Sequence, residues 1–251
     1  MKRNELITYL DDYLRVKEIE DDSQNGLQVE GPEDVTHVAF AVDGCQAAFE
    51  QAIAEGAQLL IVHHGLFWDK PLRLVGPIFQ RVKTLIEGDC GLYAVHLPLD
   101  FHPEVGNNAE LARLLELKDT RAFGEYHGST VGIGGALDPP IPLDLLVERL
   151  TQGTGEPPAR VLAHGLAQAS QVGCISGGAA FLMDQVAEAG FDTFVTGETS
   201  HSFFHYAAEW GLNVVYGGHY ATETLGVKAL ACHLEEKFGL ETTFLNIPTG
   251  M

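Results

Sequence analysis

Apolar residues recur along the chain with two periods, one typical of helices and one typical of strands. Leu6, Leu10 and Leu14 fall at helical spacing and predict a first helix over residues 4–19. The short uninterrupted run LLIV, at 59–62, is typical of a buried strand in a parallel sheet. By the same criteria the first half contains predicted strands 35–42, 58–62 and 91–99 and predicted helices 47–56, 77–88 and 107–117.

The second half of the chain repeats this order of elements. It contains predicted strands 170–176, 191–196, 212–217 and 241–248, and predicted helices 179–190, 200–210 and 221–239. The stretch before them, 128–142, is rich in glycine and proline and is interpreted as a domain transition. The alternation predicts an α/β fold of two halves, residues 1–127 taken together with the C-terminal segment, and residues 128–251.

The two halves share a short sequence similarity. Residues 52–65 align with residues 185–198 after one gap, and the aligned pairs include Gly56 with Gly190 and His64 with Glu198. A match of this length can arise by common ancestry, by chance, or from the sequence pattern that all strand–helix–strand units share. If the halves are related, we expect them to face each other with a site in the cleft between them.

The charge of the chain argues against two classes of partner. The sequence has 35 acidic residues against 15 lysines and arginines, a formal net charge of -20. Nucleic-acid binding depends on clustered Lys and Arg, so direct binding of nucleic acid or of an anionic membrane is not expected. The N-terminal sequence lacks the features of a signal peptide, and no apolar run reaches the roughly 18 residues of a membrane span, which predicts a cytoplasmic protein. The four cysteines lie far apart and are interpreted as free thiols.

Side chains that can bind metal ions follow several of the predicted strands. They are His63 and His64, Asp100, Glu198, and His219 with Glu223 four residues later. In open α/β sheets, ligands bind beyond the carboxyl ends of the strands. We therefore expect these side chains to lie along one edge of the sheet, where a ligand would bind.

Each of these motifs also has a purely structural explanation. One histidine of the His63-His64 pair could be buried and the other exposed, and this is as good an interpretation of the dipeptide as a metal site. If a helix begins near His219, this residue and Glu223 lie on one face, although Glu223 also suits a helix N-terminus by its charge alone. Asp100 precedes a proline-containing turn, where aspartate often caps the backbone.

Three further residues are candidates for proton transfer or for positioning the metal ligands. His96 lies within predicted strand 91–99, while Glu198 and His201 belong to the string TGExxH. Metal ligands usually need such outer hydrogen-bond partners. The metalloprotease order HExxH, the phosphate-binding loop and the serine-hydrolase string GxSxG are absent from the sequence.

Taken together, five strings in this sequence resemble the YbgI-like, or NIF-three-like, family, which is often labelled GTP cyclohydrolase I type 2 homologue. The strings are NGLQVEG (25–31), LLIVHHGLFW (59–68), HLPLDFHPEVGNNAELA (96–112), TGExxH (196–201) and GGHYATE (217–223). The resemblance implies a dinuclear metal site in an α/β fold and a toroidal homohexamer. By motif, the implied ligands are His63, His64, Asp100, His219 and Glu223.

The sequence therefore supports two functional hypotheses. The first is a metal-dependent hydrolase with two divalent ions per chain that acts on an unknown small substrate, nucleotide-like substrates among the candidates. The second is a metal-storage, metal-delivery or scaffold protein that uses the same ligands without turnover. Mixed histidine and carboxylate ligands are compatible with zinc, manganese, iron, cobalt or nickel. A nucleic-acid-associated regulator is a third class, which the charge disfavours.

Overall fold

Helices and strands alternate throughout residues 1–126 and 128–251, which the computed structural model describes. The helices are α1 (Arg3–Tyr13), α2 (Gln46–Ala54), α3 (Gly76–Glu87), α4 (Leu97–Asp100), α5 (Asn107–Leu114), α6 (Leu143–Thr154), α7 (Met183–Glu188), α8 (Phe204–Trp210) and α9 (His219–Phe238). The strands are β1 (Gly26–Val29), β2 (His37–Asp43), β3 (Leu59–His64), β4 (Gly91–Ala94), β5 (Lys118–Tyr126), β6 (Ser129–Pro142), β7 (Arg160–Ala163), β8 (Gln168–Ile175), β9 (Thr193–Thr196), β10 (Asn213–Tyr216) and β11 (Glu241–Phe244). The α/β class predicted from the sequence is confirmed.

The first compact unit consists of Met1–Leu99 and Val227–Ile247. Its sheet has the order β1-β4-β3-β2-β11, in which β4, β3, β2 and β11 run parallel and β1 is antiparallel to β4. On one face of the sheet, α2 and α3 bury Phe49 and Leu85 against strand residues such as Leu60. Because both faces of β3 are covered, its sequence is continuously apolar rather than alternating.

The second compact unit consists of Asp100–Gly226 and Pro248–Met251. Its sheet has the order β5-β6-β8-β9-β10-β7, with β8, β9 and β10 parallel. Successive residues of a strand point to opposite faces, and Phe194 and Val195 accordingly lie in two different cores. One core contains α5 and α6, and the other contains α7 and α8.

The boundary of the units lies earlier in the chain than the sequence suggested. We expected a division after residue 127, which itself lies outside the described residues, but the contacts divide the chain after Leu99. The reason is that β5, before the expected boundary, pairs with β6 in the second sheet. The segment Val227–Ile247 joins the first unit because β11 pairs with β2.

Two sequence-based expectations about local structure were wrong. The strand predicted over 91–99 ends at Ala94, and Asp100 is the last residue of the short helix α4. The glycine- and proline-rich stretch is not an irregular transition but forms β6. Position 134 requires glycine, because a Cβ atom there would lie 2.2 Å from the ring of Phe191. Pro139 and Pro140 fall where the pairing of β6 with β8 shifts register, a position that tolerates missing N–H groups.

Within the described residues, no helix is both long and apolar enough to cross a lipid bilayer. The long helix α9 is interrupted by charged side chains along its C-terminal half.

Candidate metal centre

Three imidazole rings meet at the carboxyl edge of the sheet in the first unit. His63 and His64 are the last residues of β3, and His96 follows β4, whose Ala94 pairs with Val62. The ring centroids of His63 and His64 lie 4.6 Å apart, and that of His96 lies 5.1 Å from His63 and 5.6 Å from His64. The parallel register of β3 and β4 is what brings the three rings together.

The orientation of the first two rings is fixed by acceptors on the neighbouring strands. His63, fully buried, has its Nδ1 atom 3.0 Å from the carbonyl oxygen of Val95. His64 has its Nδ1 atom 2.9 Å from Oδ1 of Asp43, its partner residue on β2. Carbonyl and carboxylate oxygens only accept, so Nδ1 donates in both rings and Nε2 carries the lone pair. This is the tautomer that binds a metal ion through Nε2.

His96 is held in the same way by a buried carboxylate that sequence reasoning missed. Nδ1 of His96 donates to Oδ1 of Asp21 at 2.9 Å, and the side chain of Asp21 is only 2% exposed. Asp21 also accepts hydrogen bonds from the backbone N–H groups of Ser23 and Leu97 and from the amide of Asn25. Burial alone would raise the pKa of Asp21, but the hydrogen bond and charge of His96, with the bonds from Asn25 and Ser23, lower it.

In the second unit, three parallel strands end level with one another. Ile175 of β8, Thr196 of β9 and Tyr216 of β10 are paired in register. The residues immediately beyond these strands therefore lie along one edge, as the sequence predicted for Glu198 and His219. The helix α9 begins at His219, which confirms the helix start expected after the Gly217-Gly218 turn.

His219 lies between two carboxylates. Its Nε2 atom is 3.0 Å from Oε1 of Glu223, one helical turn further on, and its Nδ1 atom is 3.3 Å from Oε2 of Glu198. The hydrogen bond to Glu223 raises the pKa of His219 to about 9 against the opposing effect of burial, and the charges of both carboxylates act in the same direction. The arrangement strongly favours a cation at this ring, since Glu223 is 3% exposed and its charge is poorly hydrated.

Asp100 is positioned by a network of buried polar groups. Its Oδ1 atom accepts hydrogen bonds from the amide of Asn107 at 2.8 Å and from the hydroxyl of Ser176 at 2.9 Å. The same Asn107 amide accepts from the backbone N–H of Gly226 in α9. Asn108 holds Ser176 by accepting its N–H. With Oδ1 held in this way, Asp100 is a preorganised carboxylate rather than a simple turn cap.

The Gly177-Gly178 turn packs directly against the acidic side chains. A Cβ atom on Gly177 would lie 2.3 Å from Oε1 of Glu223, and one on Gly178 would lie 2.9 Å from Oε2 of Glu198. Gly177 also has a φ of +63°, which side chains other than glycine rarely adopt. The turn therefore needs glycine both for its backbone conformation and for the space that Glu223 occupies.

Within the first unit, the metal-capable side chains of His63, His64 and His96 each offer one ligand atom, and these three atoms lie within 4.8 Å of one another. Within the second unit, a carboxylate oxygen of Glu223 lies within 4.8 Å of a ligand atom of His219, and one lies within 4.8 Å of a carboxylate oxygen of Asp100. Two ligand atoms on opposite sides of one ion, at about 2.1 Å each, are about 4.2 Å apart. Groups of this size and composition, imidazole with carboxylate, fit zinc, manganese, iron, cobalt or nickel. Buried histidine, aspartate and glutamate groups of this chain could thus hold a metal ion.

A model of the Duf34/NIF3 (NGG1p interacting factor 3) family matches residues 1–250. The chain belongs to the Duf34/NIF3 family. A Deinococcus radiodurans relative described as a GTP cyclohydrolase 1 type 2 homolog is 44% identical over 251 residues, which cover 99% of this chain and 94% of the relative. Among solved structures, TTHA1606 from Thermus thermophilus is 48% identical with a TM-score of 0.92, and the protein ybgI, of unknown function, is 38% identical with a TM-score of 0.92. Both alignments cover 100% of each chain.

Family membership confirms the resemblance inferred from the five strings, and the structure places each residue they highlighted. All five residues interpreted as ligands belong to these groups, His63 and His64 in the first unit and Asp100, His219 and Glu223 in the second. His96, interpreted from sequence as an outer partner, belongs to a group with two of them. Glu198 contacts His219, whereas His201 lies exposed on the 3-10 turn His201–Phe203 and lines a separate cavity.

Several residues that shape this Duf34/NIF3 site were missed by sequence reasoning. They are Asp21, Asn25, Asp43, Asn107, Asn108 and Ser176. Asn25, Asn107 and Asn108 stand in the strings NGLQVEG and GNNAELA that carried the family resemblance, so their presence was visible although their roles were not. Asp21 and Asp43 stand outside those strings.

Proposed function

We propose that this protein is a metal-dependent hydrolase of a small substrate. Two divalent ions would be held by His63, His64, Asp100, His219 and Glu223. The observation that supports the proposal is the clustering of metal-capable side chains within each unit, with the rings of His63 and His64 fixed through Nδ1 by Val95 and Asp43. When bound, such ions would supply Lewis acidity and a hydroxide nucleophile near neutral pH.

The chain's own residues would set the geometry and the proton positions. Val95 and Asp43 keep His63 and His64 in the tautomer with Nε2 as acceptor. Glu223 could contribute to both ions, since its carboxylate lies close to both His219 and Asp100. Glu198 would act on His219 as a positioning residue, by accepting the Nδ1 proton.

His96 would have a different role from Glu198. It shares a group with two ligand histidines, and Asp21 makes its Nε2 the basic nitrogen. We therefore assign His96 as a third imidazole that either completes a coordination sphere or accepts a proton from the attacking water.

Metal content is the experiment that tests the centre. The wild-type protein, purified without a chelator or a tag, is expected to contain about two equivalents of metal per chain by plasma mass spectrometry. His64→Ala should retain at most one, because the change removes a proposed ligand whose ring Asp43 holds in position. His205→Ala is the matched control, since His205 is exposed and lies outside the groups, and it should match the wild type. A wild-type protein that neither contains nor takes up metal would contradict the proposal.

Turnover separates a hydrolase from a storage or delivery protein with the same ligands. A panel of phosphoesters, amides and nucleotides should include a compound that the metal-loaded protein hydrolyses and that His64→Ala does not. Metal binding with no turnover on the whole panel would favour the storage or delivery function.

We also propose that the protein forms a homohexamer, as expected from the family resemblance. In support, the helix α3 and the segment before it expose the apolar side chains of Val75, Phe79 and Ile86, which are 65%, 46% and 63% exposed. Contiguous exposed apolar side chains are typical of subunit interfaces. Light scattering should give six times the chain mass, and Phe79→Asp should lower it. A monomeric wild-type protein would refute this assembly.

A further inference from the structure

We propose that the second unit contains a pocket for the anionic group of the substrate, centred on Arg160. This inference rests on the proposed hydrolase function, because it names the class of molecule that the metal centre would act on. The class is a small organic oxyanion, a phosphate or carboxylate attached to an apolar or aromatic body.

The pocket is a cavity of about 360 Å³. It is lined by Ala159, Arg160, Leu162, Thr199, Ser200, His201, Phe204 and Tyr216. Small-molecule sites are typically clefts of a few hundred Å³ with apolar walls and a few convergent polar groups. This lining fits that description, with Leu162 and Phe204 as apolar wall and the remaining groups mostly hydrogen-bond donors.

Arg160 supplies the positive charge. It is exposed at the start of β7, where it pairs with Tyr216 of β10. Its guanidinium forms no ion pair with a carboxylate anywhere in residues 1–126 or 128–251, although the chain has 35 acidic residues and only 15 lysines and arginines. A guanidinium presents paired N–H donors that match the two oxygens of a carboxylate or phosphate.

Tyr216 contributes a polar group that the protein leaves unsatisfied. The residue is 2% exposed and lines the cavity, and its hydroxyl has no hydrogen-bond partner among the residues that the structure describes. A buried hydroxyl without a partner costs free energy, and a ligand oxygen that reached it would recover that cost. Ser200 and Thr199 add two hydroxyl groups on the opposite chain segment.

The same segment connects this pocket to the metal-capable side chains of the unit. Thr199 and Ser200 also line a second cavity of about 230 Å³, together with Glu198, Gly178 and Phe203. Glu198 in turn contacts His219. We place the anionic end of the substrate at Arg160 and its apolar body beside Phe203 and Phe204, so that the molecule would pass Thr199 and Ser200, which line both cavities, on the side of Glu198 and His219.

The test uses small oxyanions as probes of the protein as purified. Binding of phenyl phosphate, benzoate and the neutral benzyl alcohol is measured by isothermal titration calorimetry. We expect at least one of the two anions to bind and benzyl alcohol not to bind, and the comparison of the anions tells phosphate from carboxylate.

Arg160→Ala should weaken the affinity about tenfold or more. Arg73→Ala, which removes the same charge from an exposed position in the first unit, should leave it unchanged. Equal affinity in Arg160→Ala and the wild type would overturn the proposal, as would the absence of any binding.

Tyr216→Phe provides an independent check. The change is expected to weaken anion binding about three- to tenfold and to raise the Tm, because it removes an unsatisfied buried hydroxyl. A raised Tm with unchanged affinity would exclude Tyr216 from the pocket and contradict its part in the proposal.

His64→Ala keeps the two proposals separate. This variant should lose metal but bind the anion through Arg160 as before. If His64→Ala abolishes anion binding while Arg160→Ala does not, the anion binds at the metal ions and the pocket is refuted. If the wild type binds the anion but no metal, the hydrolase proposal fails and the pocket stands as a binding site without its assigned reaction.

Discussion

Replacing Gly177 by alanine is expected to weaken metal binding about 10- to 100-fold. The new methyl carbon would lie 2.3 Å from the present position of Oε1 of Glu223, which is too close for two non-bonded atoms. The carboxylate must therefore leave its position beside His219. The backbone φ of +63° adds a cost of about 1–2 kcal/mol to the folded state. A competition titration with a chromogenic zinc chelator measures the affinity.

Gly190→Ala is the matched control for this variant. Gly190 has a comparable φ of +83°, but a Cβ atom there would meet nothing within 4 Å. Gly190→Ala should therefore lose a similar amount of stability and keep the wild-type metal affinity. If Gly177→Ala binds zinc as tightly as Gly190→Ala, Glu223 is not confined by the glycine turn and its position in the site must be revised.

Replacing Asp21 by alanine is expected to lower the free energy of unfolding by about 3 kcal/mol. The change leaves two backbone N–H groups and the side chains of Asn25 and His96 without their acceptor in a buried region. Urea unfolding followed by circular dichroism measures the loss. The ring of His96 would also lose the partner that fixes its tautomer, so metal content should fall with stability.

Two further substitutions make the interpretation of Asp21 specific. Asp22→Ala removes the neighbouring carboxylate, which is exposed, and should change stability by less than about 0.5 kcal/mol. Asp21→Asn preserves the shape but places an amide donor against N–H donors, so it should destabilise nearly as much as alanine. A stable Asp21→Asn variant would show that charge and acceptor geometry at this position matter little.

The sequence predicted the parallel-strand framework because each of its signals is local. The apolar run before His63 and the Gly217-Gly218 turn before His219 mark a strand end and a helix start by their own composition. These signals were sufficient to find metal-capable side chains in each unit, His63 in the first and His219 in the second. The helix spacing of His219 and Glu223 needed nothing beyond the rule that residues four apart share a face.

The outer partners of the site could not be predicted because they depend on long-range packing. Asp21 meets His96 across 75 positions, and Ser176 meets Asp100 across 76. No periodicity in the sequence encodes which loop approaches which strand end. The strand β6 was missed for a related reason, since its Gly134 reflects the close approach of Phe191, a residue that comes much later in the chain.

The pairing of β11 with β2 has a consequence for synthesis of the protein on the ribosome. The strand β2 emerges early, but β11 is translated only after Asp100–Gly226, the main part of the second unit. Until then one edge of β2 is exposed, and its backbone N–H and C=O groups on that side have no strand to pair with. Because the strand is also apolar, such an edge tends to pair with strands of other chains. The sheet of the first unit is therefore completed only after Asp100–Gly226 has been made, and nascent chains that end within α9 still carry this open edge.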